Sequence, residues 1–165
     1  MQLPTEHNHV VDFDKIKREA FVLLNLGYGC TRLRHDEEGD VSERKDSQIF
    51  QEFGSLYSRE VSSSLTSISI FGRMLDDIIK RTGKGVSASM WTFEEMLGDD
   101  EGGNSLSLRE CFNKVIHAEK IGHELMQLPE VYFNGKKQNG KEWNVRVFIL
   151  PFCVSVFEWV NENQV

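Results

Sequence analysis

Between Ser47 and about Arg81, Phe50, Phe53, Tyr57, Val61, Ser64, Ile68, Phe71, Leu75 and Ile78 recur close to every 3.5 residues. A helix brings such positions onto one line, because each residue advances about 100° around its axis. Leu65, Met74 and Ile79 widen the stripe. The spacing predicts a bundle helix of roughly thirty residues, and one that long needs other helices to cover it. Ser62, Ser63, Ser64, Ser67 and Ser69 place small side chains in its middle. They let another helix come close, in the core or at a dimer interface. As nucleophiles they lack a G-x-S-x-G elbow.

The chain before this helix predicts another. Asp12 or Asp14 caps it, and Phe13, Ile16, Ala20, Leu23, Leu24 and Gly27 form its apolar stripe to about His35. The segment His35 to Asp46 is charged and lacks EF-hand spacing, so it reads as an exposed loop. Met1 to Val11 is polar, and its His7 and His9 read as part of a solvated terminus rather than a metal pair. After the long helix, Gly83-Lys84-Gly85 marks a turn and is not a Walker sequence. Trp91 to Leu97 reads as a short helix with Thr92 as its cap, and Gly98 to Asn104 as an acidic loop.

Beyond Pro129 the period changes. Val131-Tyr132-Phe133 and the alternating run Trp143 to Leu150 predict two strands. Asn134-Gly135 and Asn139-Gly140 are turn dipeptides, so a β-hairpin is expected over about 131–150. Lys136, Lys137 and Lys141 cluster at its tip. Pro151 fits the first position of a final helix to about Asn161, although Phe152 to Phe157 reads equally well as more strand. The expected fold is mainly α, a helical bundle with a long central helix and a small C-terminal hairpin, in one domain spanning 1–165.

Composition narrows the function classes. A net charge of −7 over 165 residues argues against broad nucleic-acid binding, which needs a basic surface, but leaves room for a local basic cleft. Cys30, Cys111 and Cys153 are far apart, with no Cys-x-x-Cys, so neither a zinc ribbon nor a disulfide framework is indicated. Buried thiols in a reducing cytoplasm are the simplest account. There is no H-E-x-x-H and no G-x-G-x-x-G after a strand, so no metal and no cofactor is expected. With no apolar run in Met1 to His9 and no stretch of membrane-spanning length, neither a signal peptide nor a membrane role is expected.

The segment Ser105 to Glu124 holds the candidate chemistry. Ser107 and Glu110 form a capping box, and Leu108, Cys111, Phe112, Val115, Ile116 and Ala118 give one apolar face. On this expected helix Arg109, Asn113 and His117 lie one turn apart on a drifting stripe. Arg109 borders the apolar face and His117 points away from it. A guanidinium, an amide and an imidazole so arranged can bind and cleave a phosphodiester, although polar residues on an outer helical face are commonly only solvated. His123, at the expected far end, is a second candidate.

Arg109 through His117, followed by Ala118, resembles the core of the HEPN superfamily, and the segment Arg73 to Asp77 resembles the long helix of such proteins. These are small helical bundles, many of them metal-independent ribonucleases of toxin–antitoxin and phage-defence systems. Their signature is an Arg, often followed by a polar residue, then four to six residues, then His, on one helix. Here seven residues intervene, and Asn113 stands where a closer match carries Arg. The resemblance implies a homodimer whose stripes meet across a cleft, with RNA as substrate and a cognate antitoxin as a further partner. It implies attack of the RNA 2′-hydroxyl on its phosphate, with His117 as general acid or base, Arg109 stabilising the phosphorane and Asn113 orienting phosphate or imidazole. Arg73 and Lys114 would assist substrate binding. Read from spacing alone, Arg73 and Asp77 form an exposed i,i+4 pair; the alternative is that Arg73 or Asp76 supports the Arg109–His117 stripe from the neighbouring helix. The alternative is a non-catalytic binding, immunity or regulatory protein on the same scaffold.

Overall fold

The computed structural model describes residues 12–37, 48–92, 98–100, 102–124 and 129–164. The element order is α1 (Phe13–Glu37), α2 (Gln48–Thr82), β1 (Gly98–Asp100), α3 (Leu108–Ile116), β2 (Lys120–Glu124), β3 (Glu130–Lys136), β4 (Glu142–Phe148) and α4 (Ile149–Glu162). The mainly helical reading and the long central helix hold. The expected hairpin forms, as β3 and β4 joined by a tight turn, but it does not stand alone. β3 and β4 are the inner strands of a four-stranded antiparallel sheet, ordered β1-β4-β3-β2, in which β1 is a three-residue edge.

α1 starts where Asp12 accepts the Lys15 N–H on its carboxylate at 2.9 Å. It buries Ile16, Ala20, Leu23 and Cys30. α2 buries Tyr57, Val61, Leu65, Ile68, Leu75 and Ile79, with Ser64 and Ser69 as the small residues between them. Three of the mid-helix serines thus split in role: Ser64 and Ser69 enter the core, while Ser63 stays exposed. α1 packs against α2 and α4, and α2 packs against α3.

The sheet turns one face inward. Val131, Phe133, Trp143, Val145 and Val147 are buried, and their neighbours Tyr132, Asn144 and Arg146 lie on the other face. Asn139-Gly140 makes the expected turn, with Gly140 at φ +80°. Asn134-Gly135 does not; both residues pair within β3. A Cβ on Gly135 would lie 2.4 Å from the Trp143 ring, so this glycine makes room for the indole across the strand pair.

Three further expectations are corrected. The helix expected to run to Glu124 stops at Ile116, and Lys120 to Glu124 pairs with β3 as a strand. The acidic segment from Gly98 contributes β1, because Gly98, Asp99 and Asp100 find partners in Val147, Arg146 and Val145. α4 begins at Ile149 rather than at Pro151. Pro151 is its third residue, still within the first turn, where a missing N–H costs no helical bond. The expected helix over Trp91 to Leu97 finds Trp91 and Thr92 outside any helix, and 93–97 lie outside the described residues. So do the polar terminus through Val11 and most of the expected loop to Asp46. No described helix is long and apolar enough to cross a membrane.

Candidate functional site

The N-terminus of α3 is fixed twice. The capping box is complete: Ser107 Oγ accepts the Glu110 N–H at 3.3 Å, and the Ser107 N–H reaches Glu110 Oε2 at 2.8 Å. The Leu108 and Arg109 N–H groups donate to Trp91 O and Ala88 O, each at 3.1 Å, so the helix start is docked on the segment after α2. Ser107→Ala removes the cap and is expected to cost about 1 kcal/mol in urea unfolding. From this start, Leu108, Cys111, Phe112 and Val115 enter the core. Arg109 and Asn113 are left facing α2.

There they meet a buried carboxylate. Asp76 of α2 is fully buried. Its Oδ1 accepts from Ser87 Oγ at 2.8 Å and from the Ala88 N–H at 2.7 Å. Its Oδ2 lies 3.1 Å from Lys80 Nζ and 2.5 Å from Arg109 Nη1. Burial alone would raise the Asp76 pKa. The donors from Ser87, Ala88 and Lys80 outweigh it and hold the carboxyl below its ordinary value.

Arg109 also reaches Asp77 Oδ1 through Nη2 at 2.8 Å, and its side chain is only 13% exposed. Asp77 Oδ2 lies 3.7 Å from Arg73 Nε, and Arg73 Nη1 donates to Asn113 Oδ1. Three of the five expected site residues, Arg73, Arg109 and Asn113, therefore share one seam between α2 and α3.

The other two lie elsewhere. Lys114 points to the sheet, with Nζ 4.1 Å from the Trp143 ring centroid. Burial first, and then the nearby Lys137 charge, lowers its pKa. His117 is the exposed C-cap of α3, its N–H donating to Asn113 O at 3.1 Å. Because the helix ends there, His117 lies beyond the last turn rather than on a continuing stripe.

A serine–histidine contact was not legible in the sequence. Ser62 Oγ and His123 Nε2 are 3.1 Å apart, joining α2 to β2. Among the described residues His123 Nδ1 is buried without a hydrogen-bond partner, and burial lowers the pKa of the ring. Among the described residues no carboxylate orients the imidazole, and the N–H groups around Ser62 are spent within α2, so they give the pair no oxyanion donors of the kind acyl transfer needs. Its role is to dock the strand. The Tyr57 ring meets His123 edge-on at 6.2 Å and supports it from the same helix.

Among the described residues no group of His, Cys, Asp or Glu is placed to hold a metal ion. A polar hollow of about 150 Å³ lies at the turn end of the sheet, lined by Glu119, Lys120, Asn134, Lys136, Glu142 and Asn144. It includes none of the expected site residues. Asp76, which the sequence offers only as an alternative support for the stripe, is the residue at the centre of the seam. Its signal was present: a carboxylate on the buried side of α2, between Gly72 and Ile79. No protein-family model, no curated protein and no solved structure matches the chain.

Proposed function

We propose that this chain is a non-catalytic binding protein that acts through a protein partner, with the Arg109 stripe serving the fold. The state of Arg109 carries this reading. A guanidinium that stabilises a phosphorane needs donors aimed at the developing charge. Both terminal nitrogens of Arg109 are instead taken by Asp76 and Asp77. Turning Arg109 outward would strip a partner from a fully buried carboxylate, a change that costs several kcal/mol. The net charge of −7 favours a partner with a basic surface.

The test is RNA cleavage by the purified chain and by His117→Ala. Neither is expected to cut RNA. Cleavage by the wild type that is lost in His117→Ala would overturn the proposal.

One observation favours the second reading, a HEPN-like metal-independent endoribonuclease. Arg73, Lys80 and Arg109 outnumber Asp76 and Asp77 at the seam, and Asn113 joins it one turn before the exposed His117. Under that reading His117→Ala lowers the cleavage rate by about 10²–10⁴-fold. It leaves the urea midpoint unchanged, because an exposed C-cap side chain carries little of the stability.

A further inference from the structure

The sheet has two edges, and they differ. β1 is three residues long and ends at Asp100, whose Oδ1 accepts the Gly102 and Asn104 N–H groups at 2.9 Å each. The returning chain closes part of this short acidic edge, as the Asp100 N–H donates to Asn104 O at 3.2 Å, so it resists pairing. β2 is longer, and among the described residues no strand pairs with its outer side. Lys120 and Gly122 are exposed, and Ile121 is 38% exposed although it lies on the face that packs inward. The rest of the strand is held firmly, by β3 on one side and by the His123 contacts to α2.

The β2 sequence Lys-Ile-Gly-His-Glu is complementary to itself when run antiparallel. With Gly122 on a two-fold axis, Lys120 takes the register position opposite the partner's Glu124, and Ile121 that opposite the partner's His123. The pairing thus places two opposite-charge pairs and two apolar–aromatic pairs around a glycine that adds no bulk at the axis. Opposite charges across an antiparallel pair stabilise it and like charges oppose it.

We propose that β2 is a homotypic docking edge, on which a second copy of this chain pairs antiparallel about Gly122 and joins two sheets into one of eight strands. The inference does not rest on the reading of Arg109. A five-residue edge gives a small interface, so the association is weak and depends on concentration.

Sedimentation equilibrium of the full chain over a wide concentration range tests it. The wild type is expected to dimerise reversibly. Lys120→Glu and Glu124→Lys each place two like-charge pairs across the axis and are expected to raise the dimer Kd about tenfold or more. The double reversal restores the pairs and is expected to return Kd toward the wild-type value. Should one single variant fail to fold, as seen by helical circular dichroism, the other carries the comparison. Hydrogen exchange adds a second readout: β2 amides gain protection as concentration rises. A chain that stays monomeric at every concentration overturns the proposal, as does a dimer indifferent to both single reversals.

Discussion

Asp76→Ala is expected to lower the free energy of unfolding by about 3–5 kcal/mol, because it removes one side of a buried, multiply bonded charge cluster. The variant leaves the Ala88 N–H and the Ser87 hydroxyl without their acceptor, Lys80 with Ser89 Oγ alone, and Arg109 with Asp77 alone. Arg109→Ala is expected to cost less, since Asp76 then keeps its other three donors. The difference is also expected to depend on pH. The folded-state pKa of Asp76 lies below the ordinary carboxylate value of about 3.9. Between the two values the unfolded chain binds the extra proton, so stability rises with pH there. The contribution is complete above the ordinary value and fades as pH falls through the folded one. Urea unfolding of the wild type and of Asp76→Asn should therefore show a gap that is wide at neutral pH and narrows below about pH 4. A gap that stays constant into acid would mean that the Asp76 charge is not what holds α2 to α3.

The contrast between Asp76 and Arg109 shows what the sequence could carry. Periodicity is local, so α1, α2 and the Ser107–Glu110 capping box were legible from residues a few positions apart. The partner of Arg109 lies 33 residues away, and no local spacing links the two. Arg73, Arg109 and Asn113 were legible as a polar group on two helices, and so was the local pair of Arg73 with Asp77, but the clamp of Asp76 and Asp77 on Arg109 was not. The sheet was half legible for the same reason. β3 and β4 alternate strongly, whereas β2 continues a helical pattern in sequence and becomes a strand only by pairing with β3. β1, Gly-Asp-Asp, has little strand propensity of its own and exists through its pairing with β4. The end of α3 belongs here too. Once His117 caps the helix and the Glu119 N–H finds Asn134 O at 2.8 Å, the chain is committed to the sheet, and the stripe read on paper is cut at its last residue.

The contact of Phe112 with Gly72 gives the other large effect. Phe112 is fully buried, with ring centroids of Trp159 at 5.8 Å and Phe152 at 6.1 Å. Phe112→Ala is expected to cost about 3–5 kcal/mol, from lost burial and from the cavity left between three helices. Gly72 is the reason the ring fits against α2. A Cβ there would lie 2.6 Å from Phe112 Cζ and 2.7 Å from Cε2. The ring is fully buried and packed on Trp159 and Phe152, which opposes its shifting. Gly72→Ala alone therefore gains about 1 kcal/mol of helix propensity and loses more, about 1–3 kcal/mol, to overpacking. In the Phe112→Ala background the clash is gone and the propensity remains, so the same Gly72→Ala change should become stabilising. The sign reversal is the decisive quantity in a double-mutant cycle read by urea midpoints. If Gly72→Ala destabilises equally in both backgrounds, then helix contact through Phe112 is not what selects glycine at position 72, and the close seating of α3 on α2 must have another cause.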